Sequence, residues 1–151
     1  MSDLNALGER IGRGLIYEQD PGRAFRLISR RSSNVYNSTG VHLETLKKPY
    51  GYNPAYLNED DLRQLGLAPG DRVRIFSNRS EIVGIVEVDS TLRPGVVSMS
   101  HAWGGTADRD DEARKIGSNT NRLMTPDDGW DRYCGIPTMS NLPVDIVPFP
   151  E

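Results

Sequence analysis

The chain has 151 residues and a mass of 16.8 kDa, which fits one domain with a single hydrophobic core. Its formal net charge is -3, from 18 Lys and Arg against 21 Asp and Glu. This argues against non-specific electrostatic binding of nucleic acid, because domains that bind in that way carry an excess of basic residues. A mean hydropathy of -0.53 with 15 Gly and 10 Pro favours a turn-rich, mainly β globular domain.

The residues before position 23 predict an N-terminal arm or linker remnant (residues 1–22), followed by one domain (residues 23–151). Charged side chains interrupt the first twenty residues, so no apolar core typical of a signal peptide is present. No segment is long and apolar enough to predict a membrane span. Four apolar residues share the spacing of one face of a short helix: Leu4, Leu7, Ile11 and Leu15.

The first half of the domain reads as a strand, a loop and a short helix. Residues 24–29 alternate apolar and polar side chains once and then become apolar, which predicts the first strand, and the polar residues 34–40 predict a loop beside its end. Two prolines within residues 47–54 predict an extended connector. Asn58 is expected to cap a helix that ends at Gly66, since asparagine favours helix starts and glycine favours the left-handed residue after a helix.

The second half adds strands separated by turns. Residues 72–77 alternate, with Val73 and Ile75 inward, whereas residues 81–88 are nearly all apolar, which predicts a strand covered on both faces as in a closed barrel. Gly84 within this run predicts a bend or bulge. A turn at Pro94-Gly95 leads to another strand, and residues 142–147 predict the last one, at a sheet edge because of Pro143.

The groups that could carry chemistry are few. The two histidines, His42 and His101, lie outside nucleophile motifs such as Gly-x-Ser-x-Gly, so no catalytic residue is predicted. Cys134 is the single cysteine; it has no partner for a disulfide and no Cys-x-x-Cys pair for a metal, which favours a reducing cytoplasm and a small apolar cysteine in the core.

Phosphate binding has better candidates. Residues 101–106 and 117–122 flank a long aperiodic segment and supply glycine-rich turns and asparagine side chains, which are groups that bind phosphate. Arg30 and Arg31 follow the first predicted strand and supply guanidinium groups. Each pattern by itself is equally typical of an ordinary turn or a solvated charge.

Five short motifs in order resemble a known family. They are Phe25-Arg-Leu-Ile-Ser-Arg-Arg31 with Tyr36-Asn-Ser38, the helix and turn up to Gly70-Asp71, Arg93-Pro-Gly-Val-Val97 leading to His101-Ala-Trp-Gly104, the asparagine run at residues 119–125, and Gly135-Ile-Pro137. Their order and spacing resemble the dinucleotide-binding domain that closes the large subunit of molybdopterin oxidoreductases of the dimethyl-sulfoxide-reductase type. Residues 139–141 depart from the family, which usually has a lysine or another polar residue soon after that proline.

The resemblance implies a fold and a ligand. The fold is a six-stranded double-psi β-barrel with short helices, the barrel also found in aspartate decarboxylase. The ligand is molybdopterin guanine dinucleotide, with the molybdenum or tungsten held by a separate catalytic portion and no metal ligand in this chain. The residues at matching positions, implied to contact the cofactor, are Arg31, Asn37, Ser38, His101, Trp103, Gly104, Asn119 and Asn121. Trp103 is equally compatible with stacking on a flat ring and with burial in the core.

The family's enzymes are much longer than this chain and carry the metal ligand elsewhere. The resemblance therefore implies either a dissected C-terminal domain or a separate small subunit, inactive alone, that completes the active site of catalytic domains or a large subunit. Two alternatives remain open. The same barrel can serve as a protein-interaction or assembly module without a cofactor, or as a small enzyme resembling aspartate decarboxylase that cleaves itself at Gly117-Ser118.

Overall fold

The computed structural model describes residues 23–31, 33, 36, 37, 39, 40, 43, 45, 51–101, 103, 104, 115, 117–124 and 134–150. The predicted arm at residues 1–22 lies outside them. The strands are β1 (Phe25–Arg30), β2 (Pro54–Leu57), β3 (Arg72–Phe76), β4 (Glu81–Val88), β5 (Val96–Ser100) and β6 (Leu142–Pro148). The helix α1 (Glu59–Leu65) lies between β2 and β3, and a 3-10 helix (Thr120–Leu123) lies between β5 and β6.

The six strands form a closed barrel in the order β1-β5-β2-β4-β3-β6. The pairs β1 with β5 and β2 with β4 are parallel, and the other neighbouring pairs are antiparallel. Exchanging β1, β2 and β3 for β4, β5 and β6 reproduces the same cyclic order, so the barrel consists of two interlocked halves. This is the double-psi β-barrel, and the predicted fold is confirmed.

Alternation along β3 and β4 builds the barrel interior. Val73 and Ile75 point inward, as predicted, and pair with Gly84 and Ile82. Fully burying a side chain the size of Ile75 contributes roughly 1.5–3 kcal/mol relative to leaving it exposed. The remaining members of this core come from the other five strands and the two helices: Phe25, Leu27, Ala55, Leu57, Leu62, Val86, Val97, Met99, Leu123, Val144 and Ile146.

The outward side of β4 is also buried. Val83 and Ile85 form a second cluster, and Tyr52 and Phe149 pack against it. Both faces of this strand are therefore covered, as its apolar sequence predicts.

Gly84 does not form a bulge, because its register with β3 is uninterrupted from Arg72 to Phe76. A Cβ placed on Gly84 would lie 2.8 Å from Ile75 Cδ1 and 3.3 Å from Ala55 Cβ. The glycine instead leaves room for side chains from neighbouring strands inside a narrow barrel. The predicted bulge was therefore wrong, and the bend stays a prediction.

The ends of α1 agree with prediction. Asn58 Oδ1 accepts a hydrogen bond from Asp60 N at 2.8 Å, and Gly66 has a left-handed φ of 68°. The sequence did not predict the buried carboxylate of Asp61, which accepts from Gly95 N at 2.9 and 3.1 Å. Burial raises the pKa of Asp61, and the Gly95 bond acts in the opposite direction.

Two further predictions are corrected. The last strand is not an edge strand, because β6 pairs with β1 over residues 142–144 and with β3 over residues 145–148. Pro143 is tolerated because it precedes the part of β6 that pairs with β3. Cys134 is exposed, not in the core, because it lies in a turn whose next residues, Gly135 and Ile136, are exposed as well.

Candidate functional site

The parallel pairing of β1 and β5 brings two predicted site residues to one end of the barrel. Arg30 is the register partner of Ser100, so Arg31 and His101 follow adjacent strands at the same end. The start of β2 lies there too, because β2 runs antiparallel to β5.

Asn53, directly before β2, connects the chain segments at this end. Its side chain is 2% exposed. Its Oδ1 accepts from Ser100 N at 3.0 Å, and its Nδ2 donates to Ser100 O at 2.8 Å and to Ser118 O at 3.2 Å. No local pattern predicts this role, because an asparagine before a proline is an ordinary turn residue.

Two glycines let the loops after β5 cross closely. Gly104 (φ 92°) and Gly117 (φ 69°) both have left-handed φ values. A Cβ on Gly104 would overlap the Gly117 carbonyl, and a Cβ on Gly117 would lie 2.6 Å from Asn53 N and 3.2 Å from Trp103 Cδ1. Trp103 is 6% exposed. Of the two interpretations left open for Trp103, the structure has the buried one, in which the ring packs beside this crossing.

Asn119 caps the 3-10 helix that follows the crossing. Its Oδ1 accepts from Asn121 N at 3.0 Å, and the helix is anchored by buried Leu123, whose carbonyl accepts from Ser77 Oγ at 2.8 Å. Asn121 is exposed. The Asn119 Nδ2 amide has no acceptor among the described residues. The cap therefore uses the Oδ1 atom of Asn119 but not its Nδ2 atom.

His101 supplies a second unmatched polar group. Its Nδ1 is buried and has no hydrogen-bond partner within the part of the chain that the structure describes. A buried polar atom without a partner costs free energy, typically about 1–3 kcal/mol, and commonly marks a place where a ligand, ion or water completes the bonding. His101 and Asn119 lie on the two segments that Asn53 joins.

The two adjacent arginines differ in their partners. Arg30 Nη1 contacts Asp89 Oδ2 at 2.7 Å, and its guanidinium lies 4.0 Å from the centroid of the Tyr56 ring. Hydrogen bonds from Thr91 and then Arg30 lower the pKa of Asp89 to about 2. The charge of Arg30 is thus offset by the carboxylate of Asp89 in a half-buried ion pair.

Arg31 keeps its charge at the site. Its Nη1 contacts the Oδ1 of Asn37, a neutral amide, and no carboxylate among the described residues pairs with it. Asn37 has a left-handed φ of 56°, a conformation that asparagine tolerates better than most residues. Ser38, also predicted to be a site residue, lies outside the described residues.

The site therefore offers a guanidinium, an amide donor and an imidazole at one end of the barrel. Such groups bind oxyanions and the polar edge of a heterocycle. Ser118, of the Gly117-Ser118 pair, is buried, and its hydroxyl donates to Val83 O at 2.5 Å. The described residues contain no group of three or more His, Cys, Asp or Glu suited to a metal. None of the helices in the described ranges has the length and apolar character required to cross a membrane.

Comparison with known proteins agrees with the predicted resemblance. Residues 25–143 match the family described as Molydopterin dinucleotide binding domain. A tetrathionate reductase subunit from Salmonella typhimurium (strain LT2) is 33% identical over 79 residues, which are 52% of this chain and 8% of that protein. The structure of acetylene hydratase from Pelobacter acetylenicus superimposes with a TM-score of 0.71 at 16% identity, over 93% of this chain and 20% of that one.

The chain thus spans a small part of both proteins. Because the family match covers most of the barrel, from the first residue of β1 into β6, the chain belongs to the molydopterin dinucleotide-binding domain family.

Proposed function

We propose that this chain is the cofactor-binding domain or subunit of a molybdenum or tungsten oxidoreductase, and that it binds the guanine dinucleotide form of molybdopterin. It completes the active site of a catalytic portion, which would be the chain's partner. The chain matches only 8% of the tetrathionate reductase subunit and 20% of the acetylene hydratase chain. In both proteins most of the polypeptide is additional to this domain, which supports a catalytic partner of this kind. The cofactor supplies the metal-carrying pterin at which redox chemistry takes place, and the chain holds and orients the cofactor.

The observation that carries this proposal is the pair of unmatched polar groups on the joined loops. His101 Nδ1 and Asn119 Nδ2 lack partners in the described protein, although the loops bearing them are fixed by buried contacts. Of the two, only His101 Nδ1 is buried, whereas the Asn119 amide is half-buried. Such groups on a preorganised loop are typical of a binding site, because the ligand then forms its bonds without further ordering of the chain. Arg31 adds a positive charge suited to a phosphate oxygen.

The test is a titration of isotope-labelled protein with molybdopterin guanine dinucleotide, followed by backbone amide shifts. Guanosine diphosphate tests the nucleotide half, with adenosine and cytidine diphosphates as controls for the base. We expect saturable shifts concentrated in residues 101–106 and 117–125. The absence of such shifts with the full cofactor, both alone and with the catalytic portion present, would overturn the proposal.

A matched pair of variants sharpens this test. Asn119→Asp keeps the oxygen that caps the 3-10 helix but replaces the amide that has no acceptor. We therefore expect cofactor affinity to fall roughly tenfold, which corresponds to about 1.4 kcal/mol of binding free energy. Asn58→Asp makes the same change in the cap of α1, and we expect unchanged affinity. Under the alternative of an interaction module without cofactor, neither variant alters binding of the partner.

A further inference from the structure

Asn53 is a polar side chain buried at the start of a barrel strand. Burying a primary amide is costly unless it forms hydrogen bonds, and here two donated bonds and one accepted bond offset that cost. Three bonds from one side chain to the backbone of two other segments exceed what a simple turn requires. The arrangement indicates a role in holding those segments in place.

The bonds of Asn53 act on the two peptide groups that lead into the unmatched polar residues. The Ser100 carbonyl belongs to the peptide plane whose N–H is that of His101, and the Ser118 carbonyl belongs to the plane whose N–H is that of Asn119. Because the peptide unit is planar, fixing a carbonyl fixes the direction in which the next residue begins. One side chain therefore orients both His101 and Asn119.

Steric contact and hydrogen bonding have different effects on the loops at this end of the barrel. The crossing of Gly104 and Gly117 sets how closely the two loops approach. Packing of this kind leaves the rotation of individual peptide planes less restrained than directional bonds do. The amide of Asn53 supplies that direction.

We propose that Asn53 is a positioning residue of the cofactor site, which sets the orientation of His101 and Asn119 through the Ser100 and Ser118 carbonyls. This inference rests on the proposed function, since it gives the two oriented residues a ligand to meet. It assigns Asn53 no contact with that ligand.

The decisive variant is Asn53→Asp, because it retains the shape of the side chain. As a carboxylate, the new side chain still accepts a hydrogen bond from Ser100 N. Its second oxygen replaces the donor and therefore repels the Ser100 and Ser118 carbonyl oxygens. Burial beside these oxygens raises the pKa of the new carboxyl, so mild acid protonates it and restores one donor. We therefore expect cofactor affinity to fall roughly tenfold or more at pH 8 and to recover to within about threefold at pH 5.

Three comparisons isolate the effect. The unmodified protein, measured over the same pH range, accounts for any pH dependence of binding that does not come from position 53. Asn58→Asp also loses an amide-to-carbonyl bond, at the other end of the barrel, and its affinity should not change. Asn53→Ser has a side chain too short to reach both carbonyls, and it should bind weakly at both pH values without recovery. If Asn53→Asp does not fold at pH 8, Asn53→Ser replaces it as the test of the two donated bonds.

The measurements are cofactor affinity and, without nucleotide, the amide shifts of His101 and Asn119. Joint movement of these two amides with pH in Asn53→Asp, alongside the affinity change, supports the proposal. Unchanged affinity in both Asn53 variants, or an equal loss in Asn58→Asp, would overturn it. If the unmodified protein binds no cofactor, the proposed function fails, whereas the nucleotide-free shifts still show whether Asn53 orients the two residues.

Discussion

Two connections occupy equivalent places in the two halves of the barrel. Residues 58–71 join β2 to β3, and the much longer residues 101–141 join β5 to β6 at the opposite end. Each contains a short helix capped by an asparagine, and in each the Oδ1 of that asparagine accepts from the amide two residues later. Each helix also buries a leucine four residues after its cap, Leu62 in one and Leu123 in the other.

The two caps differ in what the amide nitrogen of the asparagine, Nδ2, contacts. Asn58 Nδ2 donates to Leu92 O at 2.7 Å, whereas Asn119 Nδ2 has no acceptor among the described residues. The β2–β3 connection therefore uses its whole cap for stability. The β5–β6 connection leaves the amide nitrogen of its cap unbonded within the described residues, so one local motif is fully bonded in one half of the barrel and only partly bonded in the other.

The largest expected effect separates the glycines of the two connections. Gly66 and Gly104 both have a left-handed φ, but nothing lies within 4 Å of a Cβ at Gly66, whereas one at Gly104 would overlap the backbone of Gly117. We expect Gly66→Ala to cost about 1–2 kcal/mol in the free energy of unfolding, and Gly104→Ala more than about 3 kcal/mol. Urea unfolding of both variants checks this. Equal losses would mean that the crossing yields to a side chain.

Acid should act on the end of the barrel that carries α1. The pKa of Asp89 is lowered from 3.8 to about 2, so its bonds to Thr91 and Arg30 stabilise the protein above about pH 4. This contribution is lost as the pH falls towards 2, by up to about 2 kcal/mol, since the side chain is only 14% exposed. Urea unfolding at pH 5 and pH 2 measures it.

Asp89→Asn provides the control for acid. It should already be destabilised at pH 5 and should lose less than the unmodified protein on acidification. Asp61 responds in the opposite sense, because its pKa is raised and protonation relieves a buried charge. Since Asp61 is present in both proteins, the difference between them isolates Asp89. An identical acid response in both would contradict the assignment.

The smallest effect compares the caps themselves. Asn58→Asp retains the cap but leaves Leu92 O facing a carboxylate, and we expect a loss of about 1–2 kcal/mol in unfolding free energy. Asn119→Asp breaks no bond seen in the described protein and should change stability by less than about 0.5 kcal/mol. A greater loss in Asn119→Asp would show that its amide has a structural partner.

Short-range features of the fold were predictable from sequence. The cap at Asn58, the left-handed Gly66 and the inward positions of Val73 and Ile75 depend on residues a few positions apart, and all agree with the structure. The order of five motifs was enough to predict the barrel and the family.

Features that depend on strand register were not predictable. Asn53 meets residues 47 and 65 positions further along the chain, and Arg30 meets Asp89, 59 positions away. Nothing local distinguishes Arg30 from Arg31, yet one is neutralised by a carboxylate and the other contacts an amide. The eight predicted cofactor contacts remain predictions, and Trp103 shows that a motif residue can be buried beside a loop crossing.

The closed ring of strands limits how another protein can approach this one. Each of the six described strands has a hydrogen-bonded neighbour on each side, so this part of the chain offers no free edge to which a partner could add a strand. Edge-to-edge aggregation is disfavoured for the same reason. A partner must instead meet the loops at an end of the barrel or the side chains on its outer wall, so substitutions in those places are the ones that would separate assembly from folding.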